Sequence, residues 1–127
     1  MDKVKVGSIR HNPAVHRMLR TVADQEGFHF CVDIDRPTEE IAHSLAEFIS
    51  MVKTVDLASI EFHFKRGDFE KWFTGIISDN TLSARTAKIG KDKKGEELRK
   101  TLSTIVSKRY DELRRRDPAY TIEHTHG

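Results

Sequence analysis

The sequence predicts a mainly helical domain with one small strand element near residues 28–34, an α+β arrangement. Two observations carry this. Over much of the chain apolar residues recur every three or four positions, the period of an amphipathic helix. Between the first two such runs the period drops to two: Phe28, Phe30, Val32 and Ile34 fall on one side, and His29, Cys31 and Asp33 on the other.

Residues 2–9 alternate loosely, with Val4 and Val6 opposite Lys3 and Lys5, as in a short strand or an extended arm. Asn12-Pro13 starts a helix, because Asn accepts from free first-turn N–H groups and Pro loses no bond at the first helical position. Ala14, Val15, Met18, Leu19, Val22 and Ala23 continue it, and Gly27 suits a left-handed end. After the period-two stretch, Asp35 to Thr38 supplies a turn and a cap. Ile41, Leu45, Phe48, Ile49 and Val52 then form the stripe of a second helix over about 38–53. Residues 56–65 fit two templates. Ile60, Phe62 and Phe64 alternate as in a strand, while Leu57, Ile60 and Phe64 share a helix face, with Asp56 as cap and Gly67 as stop. Asp68 caps a helix bearing Phe69, Trp72, Phe73, Ile76 and Ile77, and Asp79 restarts a short one toward Ile89. A polar loop from Gly90 to Gly95 leads into a last helix over about 96–116. Leu98, Leu102, Ile105, Val106, Tyr110 and Leu113 face inward there, and Asp117-Pro118 ends it. The expected core is Phe28, Phe30, Leu45, Phe48, Ile49, Phe64, Phe69, Trp72, Leu98, Leu102 and Ile105. The structural alternative is an α/β sheet with strands near 4–9, 28–34 and 59–65.

The chain has 127 residues, 33% charged and 37% apolar, with 22 Lys and Arg against 20 Asp and Glu. This fits a single domain over 1–127, with a core at about 13–116 and a flexible tail at 117–127. No apolar run approaches the roughly 20 residues of a membrane span, and the opening residues lack the apolar stretch of a signal peptide. Cys31 is the one cysteine and has no disulfide partner within the chain. These features point to a cytoplasmic domain without a membrane partner.

The stretch Ser59-Ile-Glu-Phe-His-Phe-Lys-Arg-Gly-Asp-Phe-Glu-Lys-Trp72, with Ser44-Leu-Ala-Glu-Phe48 upstream, resembles a small prokaryotic, largely archaeal domain family of unknown function. Its pattern opens on F-x-F/Y, matched by Phe28 and Phe30. S-L-x-E-F and S-I-E-F-H-x-x-R-G-D-F-E-x-W follow. A G-D-x-x-L-A stretch is matched at Asp79 and Leu82, and a final E-E-L-R helix with a late basic residue at Glu96 to Arg99 and Arg109. Ser78 stands where the family often has Gly, and Ser83 where it has Ala. The resemblance covers about 28–116. It implies a mainly helical domain and helix rather than strand over 56–65, and it implies no activity.

His63, Arg66, Gly67, Asp68 and Trp72 bring an imidazole, a guanidinium and a carboxylate beside an aromatic wall, the makings of an anion or nucleobase site. Structural roles are the simpler account of these residues, since caps and core aromatics are commoner than sites. Gly67 ends a helix, Asp68 caps the next, Trp72 fills the core and Arg66 pairs with a carboxylate. His29 lies two residues from Cys31 on the same strand face, where it could activate the thiol. A plain buried thiol is the simpler reading. The seven histidines show no HExxH spacing, and Glu123, His124 and His126 offer only a loose chelate. The run from Gly90 to Gly95 lacks the G-K-S/T ending of a phosphate loop.

Charge is unevenly divided. Residues 84–116 carry twelve basic and five acidic residues, and residues 21–83 carry five basic and twelve acidic ones. This asymmetry suits nucleic-acid contact through Arg85, Lys88, Lys93, Lys100, Lys108 and Arg115, head-to-tail self-association, or docking of the last helix on the acidic half of the same fold. A solvated face of mixed charge is the simpler reading. The expected function is a non-enzymatic protein-binding or accessory module, with a protein partner or a second copy of the chain. The first alternative is nucleic-acid binding through 85–116. The second is a small-molecule or catalytic site around His29, His63, Arg66 and Asp68. No catalytic residue, cofactor or metal is assigned.

Overall fold

A computed structural model describes residues 12–117. The arm or strand expected at 2–9, the alternative strand at 4–9, His11, and the tail from 118 onward with His124 and His126 lie outside them.

Asn12 caps helix α1 (Pro13–Met18) by accepting from the Val15 N–H at 3.2 Å. The helix stops at Met18 instead of running toward Gly27. Leu19 closes the helix in a turn, with φ −97° and ψ 0°, the Val22 N–H donates to the His43 carbonyl at 2.8 Å, and a short 3-10 turn covers Asp24–Glu26. Gly27 is extended, so it is no left-handed cap. A Cβ there would sit 2.6 Å from Ile41 and 2.9 Å from the Ala42 carbonyl oxygen, so its smallness serves a close backbone approach.

Strand β1 (Phe28–Asp33) pairs antiparallel with β2 (Arg36–Ala42), setting Phe28 opposite Ala42, His29 opposite Ile41, Cys31 opposite Pro37 and Asp33 opposite Arg36. The register slips twice, and Glu39 takes a left-handed φ of 73° where β2 gains residues over β1, as at a bulge. β2 replaces the first turns of the helix expected over 38–53. Thr38 is no cap: its hydroxyl donates to the Phe30 carbonyl across the hairpin. The cap is Ser44, whose Oγ accepts from the Glu47 N–H, so helix α2 is only Leu45–Val52. Ile41 thus belongs to a strand, although it also fits the helical stripe. Ile34, expected on the buried face, sits in the two-residue turn and is 65% exposed.

Helix α3 (Leu57–Arg66) runs from its Asp56 cap to Gly67, which is left-handed at φ 72°. The alternative α/β fold is therefore set aside, because 59–65 is helix. Helix α4 (Asp68–Trp72) passes into a π turn (Phe73–Ile77) that ends on Ser78 at φ 69°. Gly is the residue with no steric cost at such a left-handed position, and the chain places Ser there. Arg20 donates to the Ile76 carbonyl at 2.9 Å and so satisfies one end group of the turn. Asp79 caps helix α5 (Asn80–Ala87), and helix α6 (Gly95–Arg116) closes the described chain.

The core lies between the hairpin and the helices, with β1 against α3 and α6 packed on α2, α3 and α5. Phe28 stacks on Phe69 at 5.2 Å between ring centres, and Phe48 stacks on Trp72 at 5.6 Å. The expected core residues are buried, except that Ile49 and Ile105 are half-buried. The inward stripe of α6 is Leu98, Leu102, Val106, Arg109 and Leu113. Arg99 anchors this helix by donating to the Val52 carbonyl at 2.7 Å, and the Glu61 carboxylate accepts from the Gly95 N–H at 2.7 Å. No described helix is long and apolar enough to cross a membrane.

Candidate functional site

His63, Arg66 and Asp68 do meet. The α3 C-terminus carries His63 and Arg66, and the turn at Gly67 brings Asp68 back onto them. The His63 Nδ1 lies 2.8 Å and the Arg66 Nε 3.0 Å from the same oxygen, Asp68 Oδ2. On its other side, His63 Nε2 accepts from the Cys31 N–H at 2.9 Å. An acceptor at Nε2 and a carboxylate at Nδ1 define a neutral imidazole with its proton on Nδ1. The ring is buried, edge-on to Phe28 at 4.7 Å. The group is thus a polar clasp joining β1, α3 and α4, with both imidazole nitrogens committed.

Asp68 is the first residue of α4, and its side chain makes no capping bond to that helix. The cap expected there gives way to the bonds from His63 and Arg66. The helix still gains from the negative charge in its first turn. Burial pulls His63 below the ordinary imidazole value and outweighs the hydrogen bond to Asp68 that favours the charged ring. Burial pushes the Asp68 carboxyl up, but the hydrogen bonds from His63 and then Arg66 prevail and hold it below the ordinary carboxylate value.

His29 does not join this group. It is exposed, and its Nε2 lies 2.7 Å from the Asp24 carbonyl oxygen. The Cys31 thiol is 3.8 Å from the His29 carbonyl oxygen, and the imidazole that reaches Cys31 meets its backbone N–H. No base is thereby set on the sulfur.

A second histidine has the opposite character. His43 Nε2 lies 2.6 Å from Asp24 Oδ1 and its Nδ1 2.8 Å from Glu47 Oε1. The hydrogen bond to Asp24 and then that to Glu47 raise its pKa above the ordinary value. Among the described residues no group of three or more His, Cys, Asp and Glu could hold a metal ion.

These shifts fix a pH dependence. A lowered folded pKa gives stability that is complete above the unfolded value and lost as pH falls through the folded one; a raised pKa gives stability lost as pH rises through it. His63 therefore weakens the fold on acidification below about pH 6.5, and His43 weakens it on the alkaline side. An NMR titration is expected to place the His63 midpoint below and the His43 midpoint above that of an exposed histidine. Asp68→Asn should move His63 further down, because it removes the charge that favours imidazolium. Asp68→Ala, which leaves a buried ring N–H without an acceptor, should cost about 1–3 kcal/mol. An unmoved His63 midpoint in the Asn variant contradicts the clasp.

The basic residues divide. Arg85, Lys88 and Lys108 converge with Thr104, Ile105 and Glu112 around an open groove of about 520 Å³ between α5 and α6. Lys100 lies in a smaller hollow of about 210 Å³ with Lys53 and Arg99, next along α6 and sharing Thr104. Lys93 is 3.4 Å from Glu97, and Arg115 is exposed near the far end of α6. The groove rests on buried ionic links. Arg109 donates from Nε and Nη2 to the two Asp79 oxygens at 2.9 and 3.2 Å, and from Nη1 to Glu112 at 3.2 Å. Arg85 reaches the other Glu112 oxygen at 3.0 Å. Burial opposes the charge of Arg109, but Asp79 and then Glu112 outweigh it and raise its pKa. Glu112 lies below the ordinary carboxylate value, chiefly through Arg85.

In the sequence Arg109 counts as one of twelve basic residues over 84–116 and as the late basic residue of the resembled pattern, and its structural place goes unread. Its spacing from Leu102, Val106 and Leu113 puts it on the apolar stripe, which is the signal that marks a buried cation with a partner elsewhere. No family model, curated protein or solved structure matches the chain. The resemblance of the 59–72 stretch rests on its own residues.

Proposed function

We propose that this domain is a non-enzymatic protein-binding module whose contact surface is the α5–α6 groove. The observation that carries this reading is the make-up of the groove, with the half-buried Ile105 on one wall and Arg85, Lys88 and Lys108 around it. An aliphatic patch rimmed by cations suits a protein segment with an apolar residue among acidic ones. The lining has no aromatic platform for a base, and Glu112 interrupts its positive edge, which disfavours nucleic acid. The clasp at His63 supports the same reading from the other side, since its imidazole is already bonded through both nitrogens. Such a module would act in the cytoplasm, where Cys31 stays a thiol.

Selection of displayed peptides on the wild-type domain, with Lys88→Glu/Lys108→Glu as counter-selection, is expected to enrich an aliphatic residue flanked by Asp or Glu. The reading fails if no groove-dependent sequence emerges. It also fails if oligonucleotides bind the groove with an affinity that falls steeply with salt, the mark of counterion release from phosphates.

A further inference from the structure

We infer that the groove between α5 and α6 receives the tip of the β1–β2 hairpin from a second copy of this chain. The inference rests on the protein-binding reading above and names the partner.

The tip has the required chemistry. Ile34 is the one large apolar side chain exposed among the described residues. It occupies a two-residue turn, where Gly, Asn, Asp and Ser are the usual residues. The turn is held in shape: Asp33 Oδ1 accepts from the Ile34 N–H at 2.7 Å, and Asp35 takes a left-handed φ of 61°. The isoleucine is therefore presented on a fixed scaffold, and little ordering is needed on binding. Asp33 and Asp35 flank it in the chain, Glu39 and Glu40 follow further along β2, and Arg36 is the one opposing charge on the hairpin. The groove offers the complement, an aliphatic wall at Ile105 and the cations Arg85, Lys88 and Lys108 against the single carboxylate Glu112, which Arg85 and Arg109 already engage. Within one molecule the two surfaces do not meet, since Ile34 stays exposed. The uneven charge of the two halves of the chain becomes a matched pair of surfaces.

A tip in a groove is a heterologous contact, in which the two partners use different surfaces. Copies can therefore add head to tail into a ring or an open chain. The contact is small, so the association is weak and strengthens with concentration.

Sedimentation velocity on the full chain, at low salt over a range of concentrations, tests this with two variants. Ile34→Ser removes the apolar tip and leaves the groove intact. Lys88→Glu/Lys108→Glu reverses the groove and leaves the tip intact. Thermal melting of each confirms that it is folded. The wild type is expected to exceed the monomer mass as concentration rises, and each variant alone to associate at least about tenfold more weakly, as for loss of a central contact. An equimolar mixture of the two variants should form a dimer that grows no further, because it holds one intact tip-and-groove pair. A wild type that stays monomeric, an Ile34→Ser variant that associates as the wild type does, or a mixture that stays monomeric overturns the inference. If self-association fails while groove-dependent peptides are still selected, the protein-binding reading stands and only the partner is wrong. If both fail, both are overturned.

Discussion

Asp79→Ala is expected to destabilise the fold by about 3–5 kcal/mol, the usual cost of removing one partner from a buried ion pair. Asp79 is fully buried, and Arg109 is 5% exposed. With the carboxylate gone, Arg109 keeps only Glu112 and remains in the core as a poorly compensated charge. The α5 cap is lost as well, since Asp79 Oδ1 also accepts from the Leu82 N–H at 3.0 Å. Two further variants separate these effects. Asp79→Asn keeps a capping side chain and loses the charge, so it should recover only the cap's share, about 1 kcal/mol. Asp79→Asn with Arg109→Met removes both charges and should recover most of the rest, since an apolar side chain is tolerated where a buried ion pair stood. Urea denaturation of the three proteins checks the ordering. A double variant no better than Asp79→Asn alone contradicts the account.

Trp72→Ala should produce a loss of the same size, about 3–5 kcal/mol, as for other buried large aromatic residues. The indole is 7% exposed, stacks on Phe48 and meets Phe28 edge-on at 5.7 Å between ring centres. Its Nε1 donates to the Glu26 carbonyl at 2.8 Å and so ties the 3-10 turn to α4. Trp72→Phe keeps most of the apolar volume and loses that bond, so it should be much milder than Ala. Thermal melting of both decides between a core residue and an exposed stacking platform. A Trp72→Ala protein that melts like the wild type contradicts the core assignment.

The helices are legible in the sequence wherever one apolar stripe and one cap agree. The pattern Leu98, Leu102, Val106 marks α6, and Asp79 before Leu82 marks α5. Legibility ends where two caps compete. Thr38 and Ser44 both precede apolar residues at helical spacing, and only the pairing of Arg36–Ala42 with β1 decides between them. Local sequence carries no record of that cross-strand partner. For the same reason β2 has no signature of its own, and the alternation of β1 assigns Ile34 a buried face it does not have. At the candidate site, the grouping of His63, Arg66 and Asp68 is readable from their closeness in sequence. The part of the Cys31 N–H is not, because it reaches His63 from 32 residues away. The basic residues of α5 and α6 are visible as a surplus of charge. Their division into a groove set and an outlying set depends on how the two helices pack.

The π turn over Phe73–Ile77 has a consequence for inheritance. A π turn amounts to one residue inserted into a helix. Each helical residue advances the chain by about 100° and 1.5 Å. Deleting Gly75 to restore an uninterrupted helix would swing everything downstream by that amount and carry Asp79 out of line with Arg109. The insertion and the ion pair are therefore locked together. A lineage could lose the extra residue only by also abandoning the buried charge on α6, so descendants of this fold should keep both or neither.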